Sequence, residues 1–273
     1  MSARAYRLIN GADPQLRRAA VEIRFSRSGN FYSRFGAMLD VLSESRPDWF
    51  FNPDTKNGLA GSFVCVSSGL DASIGDTRIT ASLSQKPDLA PYSAEDISQF
   101  ASECDYLADV YCSNVKPSER TRIGFRQFYE ADFETEELAN QWVMSLNIVA
   151  PNDSIATTLE SEITNLSFAM TLRAKQYGIR LAIESGQKNA LIDRGDNVAT
   201  VRPHMLSEKQ KEVLLQAEKR SAWIKRSRSS SVTIDLDSYV EQPDDDVLVG
   251  EFIKKANRET YNKLVEVVEA GKQ

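Results

Sequence analysis

Histidine occurs once in the 273 residues, as His204, and cysteine three times, as Cys65, Cys104 and Cys112 with no C-x-x-C pair. One imidazole excludes H-E-x-x-H and every multi-histidine metal site, and three such thiols build neither a disulfide framework nor a four-thiolate zinc centre. They are expected to be buried and reduced. The glycine-rich phosphate loops are missing too: there is no G-x-x-x-x-G-K-[ST] and no G-x-G-x-x-G after a strand. G-x-S-x-G is absent, although Ser67-Ser68-Gly69 follows an expected strand. A serine triad would have to use His204, whose setting, Thr-Val-Arg-Pro-His-Met, instead reads as that of a surface or locally hydrogen-bonded histidine. No apolar run approaches the roughly 18–20 residues that cross a bilayer. The opening Met-Ser-Ala-Arg-Ala-Tyr-Arg lacks the apolar stretch of a secretory signal. A cytoplasmic protein without membrane association is expected, and no metal or cofactor is implied.

What is present is ordinary folding material, 41% apolar and 26% charged, which excludes a mainly disordered chain. Val21, Ile23 and Phe25 alternate with Glu22 and Arg24, the period of a half-buried strand. Phe31, Phe35, Met38, Leu39 and Leu42 follow helical spacing after Asn30 as an N-cap, ending before Arg46-Pro47. Residues 51–61 carry turn chemistry, with two short strands expected near 62–67 and 73–83. Ser93-Ala-Glu-Asp opens a helix whose stripe of Ile97, Phe100, Ala101, Cys104, Leu107, Ala108 and Tyr111 places Cys104 in the core. Ile123 and Phe125 alternate with Arg122, Gly124 and Arg126, a strand with a cationic face.

Thr135-Glu-Glu-Leu begins a short helix holding Leu138, Trp142, Val143 and Leu146. Leu166, Phe168, Met170 and Leu172 form a clean alternating row expected to point into the core, and Ile179, Leu181 and Ile183 repeat it after a turn, predicting a hairpin. Val232, Ile234 and Leu236 mark another strand. A final helix capped by residues 244–246 is expected to bury Leu248, Phe252, Ala256, Leu264 and Val268. The pattern predicts an α+β fold of antiparallel sheets with packed helices, in two similar-sized halves, 1–134 and 135–273, with two sheets or one shared between them. Residues 207–231 read as a basic helical excursion from the second half.

Net charge is −6, from 33 Lys and Arg against 39 Asp and Glu, which argues against a surface devoted wholly to polyanions. Locally the balance differs. Seven arginines (Arg4, Arg7, Arg17, Arg18, Arg24, Arg27 and Arg34) crowd the first 35 residues, and seven Lys and Arg face three Glu over 207–231. In the second block Lys219, Arg220, Lys225, Arg226 and Arg228 can neutralise phosphates and Trp223 can stack on a base; a charged helix followed by a flexible serine-rich connection explains the same residues. Glu22, Arg24, Arg122, Arg126 and Arg180 can line a charged sheet face able to hold a phosphorylated small molecule, or a polar face turned to water. Asp235-x-Asp237 puts two carboxylates on one strand face, suiting either a hard cation or an edge strand guarded by charge.

Ala20-Val-Glu-Ile-Arg-Phe, Arg122-Ile-Gly-Phe-Arg-Gln-Phe and Ile234-Asp-Leu-Asp, with Ala256-Asn-Arg in the last helix, resemble a sporadically distributed prokaryotic family of about this length whose function is not settled. The sequence has Ala256 where a histidine precedes the asparagine in that pattern. The resemblance implies a cytoplasmic α+β protein and is compatible with antiviral-defence or toxin–antitoxin settings. Without a reactive motif, the expected role is a non-catalytic interaction protein with a protein partner. The alternatives are nucleic-acid binding through 219–228 with the N-terminal arginines, and an enzyme acting on a phosphorylated substrate.

Overall fold

The computed structural model describes residues 14–53, 61–65, 68–84, 90–146, 166–189, 228–244 and 247–270. Among the described residues nine strands form one antiparallel sheet: β1 (Gln15–Phe25), β2 (Trp49–Pro53), β3 (Gly61–Cys65), β4 (Leu70–Ile74), β5 (Arg78–Leu83), β6 (Arg120–Phe133), β7 (Ser167–Ala174), β8 (Tyr177–Asn189) and β9 (Arg228–Glu241). Their spatial order is β2-β3-β4-β5-β1-β6-β9-β8-β7. With helices α1 (Asn30–Ser45), α2 (Ala94–Val115), α3 (Glu136–Ser145) and α4 (Val249–Ala270), this is the α+β class the sequence patterning predicts. Strand β6 pairs with β1 on one side and β9 on the other, so strands from both segments of the chain share the sheet.

Alternation along each strand divides the sheet into an apolar and a polar side. Ile79, Ile23, Ile123 and Val240 stand abreast on β5, β1, β6 and β9, each at most 1% exposed, and α1, α2, α3 and α4 pack on that side. Phe25 stacks on Tyr111 of α2, Phe125 meets Phe100 of α2, and Phe133 meets Trp142 of α3. Helix α4 docks through Val249, Ile253 and Ala256. There Asn257 accepts a 2.7 Å hydrogen bond from the side-chain amide of the fully buried Gln127, which gives two residues of the family-like motifs a structural role. Ser93 and Asp96 form a reciprocal capping box on α2, as their spacing predicts, and the helix stops where Lys116 turns left-handed ahead of Pro117. Cys104 is a core residue, and burial pushes its thiol well above the usual range.

Several local expectations are corrected. Asn30 is the first helical residue rather than the cap of α1; its amide is bonded by the Ser28 hydroxyl. Phe51, Asn52 and Pro53 belong to a strand, not a turn, and Pro53 is tolerated because β2 is at the edge of the sheet. The window 73–83 is two strands, split by a reversal in which the Gly75 amide bonds the Arg78 carbonyl. Residues 228–231, read as part of a flexible basic connection, are ladder-paired in β9.

The expected hairpin of β7 and β8 forms, turning through Lys175, which adopts a φ of 55°. Its first strand is outermost in the sheet, however, so Phe168 and Met170 are only half-buried and Leu172 is 58% exposed. The last helix buries Val249 and Ile253, one position on from the expected Leu248 and Phe252, and Leu248 is exposed. The phase is set by Asp105 of α2, whose carboxylate accepts a 2.6 Å bond from the Gly250 amide at the start of α4.

Candidate functional site

The polar side of the sheet is lined by charge. Period two places Glu22 and Arg24 of β1, Arg122 and Arg126 of β6, Asp235, Asp237 and Tyr239 of β9, and Arg180 of β8 on it together. Glu22, Arg24, Arg122 and Arg126 thus take the same side of the sheet. Its members pair with one another. Arg126 grips Asp235 with two guanidinium nitrogens, the Nε–Oδ1 distance being 2.7 Å; Arg122 reaches Asp237 at 3.5 Å; and Arg24 Nε donates to Glu22 at 2.8 Å. Arg122 passes beside Gly124, where a Cβ would stand 3.6 Å from its Nε and 3.7 Å from an Asp237 oxygen. Its guanidinium lies over Tyr239 at 4.5 Å, and the Tyr239 ring in turn occupies the space above Gly178, where a Cβ would come within 2.0 Å of it. Phe128 is flanked by Arg18 at 4.4 Å and Arg126 at 4.7 Å.

Asp235 and Asp237 are not on an edge. Strand β9 runs between β6 and β8, and the two carboxylates serve arginines of a neighbouring strand. Alternation shows which face a residue takes and says nothing about which strand lies beside it, hence the misplaced edge. Among the described residues no group of three or more His, Cys, Asp or Glu side chains stands close enough to hold a metal ion. Burial raises the Asp237 carboxyl above the ordinary aspartate range despite the attraction of Arg122 and Arg126. A carboxyl whose folded value is raised favours the fold in its protonated form, and that benefit is lost as pH climbs through the raised value. Asp237→Asn is therefore expected to gain stability relative to the parent between about pH 3 and pH 7, measured by denaturant unfolding. A variant losing ground over that interval contradicts the assignment.

One end of the polar face opens into a cleft of about 940 Å³. Arg24 lines it, joined by Arg27, Tyr32, Asp76 and Arg78, which no sequence motif connects; Glu22, Arg122 and Arg126 do not line it. Arg27 and the Tyr32 hydroxyl both bond Asp76, at 3.1 and 3.2 Å. The readable signal was the position of Arg27 just past the end of β1; its meeting with Asp76, 49 residues on, depends on the β1–β5 pairing. Of the expected nucleic-acid-binding set, Lys219, Arg220, Trp223, Lys225 and Arg226 lie outside the described residues, as does His204, and Arg228 is the first residue of β9. Among the N-terminal arginines, Arg17 is buried within reach of Asp132 at 3.8 Å and Arg27 is paired, while Arg4 and Arg7 lie outside the described residues. No family model matches the chain, and no curated protein matches it.

Proposed function

We propose that the protein is a non-catalytic interaction protein that docks a protein partner on the polar face of its sheet around Arg126, Asp235, Asp237 and Tyr239. The supporting observation is that charges of both signs alternate across β6, β9 and β8 and are held by one another instead of converging on a point. Chemistry needs acids, bases or nucleophiles focused on one atom, whereas a mosaic of alternating sign selects a surface of matching pattern. A polyanion fits less well here, because Asp235 and Asp237 would face its phosphates. Participation in a multi-component system of the antiviral-defence or toxin–antitoxin kind is the setting suggested by the family-like motifs. Binding of nucleic acid by 219–228 is a separate reading, and a steep fall of affinity with salt is its signature.

The test is copurification of the full chain from its native cells, comparing Arg126→Glu with Arg34→Glu at an exposed position of α1. Arg126→Glu sets a carboxylate against Asp235 and is expected to lower partner recovery at least tenfold with the fold intact by circular dichroism, while Arg34→Glu retains the partner. Equal recovery by both variants, or a solitary protein that turns over substrate, contradicts the proposal.

A further inference from the structure

The cleft beside β1 and β5 has a charge pattern unlike the rest of the polar face. In the sheet register Arg78 of β5, Arg24 of β1 and Arg122 of β6 stand directly abreast, three like charges on adjacent strands. Like charges directly opposite one another destabilise a sheet, so such a row needs neutralising. Arg122 turns away to Asp237, leaving Arg24 and Arg78 to share the single carboxylate of Glu22, at 2.8 and 4.0 Å. Arg27 adds a third guanidinium to the cleft and is held on Asp76, the one carboxylate lining it among the described residues. The heads remain open to solvent, with side chains 50%, 62% and 75% exposed for Arg24, Arg78 and Arg27. A wall is supplied by Tyr32, 48% exposed, its ring fixed edge-on to the buried Phe31 at 5.6 Å and its hydroxyl tied to Asp76.

We infer that this cleft binds the phosphate monoester of a small molecule with a flat aromatic body, of nucleoside monophosphate size. Guanidinium forks match phosphate oxygens bidentately, so the dianion would relieve the Arg24–Arg78 opposition, while the ring packs on Tyr32. The cleft volume lies within the usual range for small-ligand sites. The site goes beyond the docking surface proposed above and fails separately from it: Arg126→Glu leaves it untouched.

The experiment is calorimetric titration of the full chain with adenosine 5′-monophosphate, adenosine and inorganic phosphate. The nucleotide is expected to bind more tightly than phosphate, and adenosine not to bind. Arg78→Ala is expected to weaken the nucleotide at least tenfold, the usual worth of a charge-assisted contact, and Arg78→Lys, which keeps the charge without the fork, to weaken it less. Tyr32→Leu is expected to bring the nucleotide down to the affinity of inorganic phosphate and to leave phosphate itself unchanged. The inference is overturned by adenosine binding as well as its phosphate, by the nucleotide binding no tighter than inorganic phosphate, or by unchanged affinity in Arg78→Ala.

Discussion

Phe125→Ala is expected to destabilise the protein by about 3–5 kcal/mol, measured as a shift in the denaturant midpoint at constant slope. The side chain is fully buried at the centre of β6, and β6 itself is flanked by β1 and β9, so no edge is near through which the structure can collapse into the void. Phe100 of α2 faces it at 6.5 Å and loses its aromatic neighbour as well. Phe168→Ala removes the same atoms from β7, where the ring is only half-buried and one flank of the strand has no partner among the described residues. The transfer part of the loss is then smaller and relaxation easier, so about 1–2 kcal/mol is expected there. Equal costs at the two sites would show that the sheet order is wrong.

Gly250→Ala ranks next. A methyl group at this position would lie 2.1 Å from an Asp105 oxygen and 2.9 Å from the Ala101 carbonyl, so helix α4 must withdraw from α2 or Asp105 must swing away. Swinging away gives up the bond that Asp105 accepts from the Gly250 amide, one of the few partners available to the first turn of α4. Overpacking of this kind costs about 1–3 kcal/mol. Asp105→Ala removes the cap without the clash and is expected to cost about 1 kcal/mol. In Gly250→Ala combined with Asp105→Ala the side-chain clash is gone and only the Ala101 carbonyl is crowded, so the double variant should lose less than the sum of the singles. Strict additivity would show that the two residues do not meet.

Much of this architecture is readable from periodicity, because burial on one side of a strand or helix imposes a repeat on the sequence. The strands at Val21–Phe25, Arg122–Arg126 and Val232–Leu236 are legible for that reason, as is the capped helix beginning after Ser93. Periodicity is silent on neighbours. Asp235 and Asp237 took their meaning from β6 and β8, elements separated from them in sequence, and the row of Arg78, Arg24 and Arg122 exists only once β5, β1 and β6 are laid side by side. The same limit explains Phe168 and Leu172, whose alternation is as clean as that of the central strands while their strand is outermost. Before α4 the apolar run Val247-Leu248-Val249 allows the stripe to be drawn in more than one phase, and the Asp105–Gly250 contact, invisible in the sequence, selects one. Of the candidate site, the common face of Glu22, Arg24, Arg122 and Arg126 and that of Asp235 and Asp237 were each legible from alternation; that β9 lies beside β6 and so joins them, with Tyr239, was not.

Asp237 separates a binding surface from a polar face that merely keeps water on its side of the sheet. Its carboxyl is held among arginines, yet burial outweighs them and raises it, so by linkage its ionised form adds no stability at pH 7 that a neutral side chain would lose. The decisive measurement is partner recovery by Asp237→Asn alongside its unfolding free energy at that pH. Stability equal to or above the parent together with lost partner binding is the expected result; reduced stability with binding retained would contradict it, making the ion pairs scaffolding only.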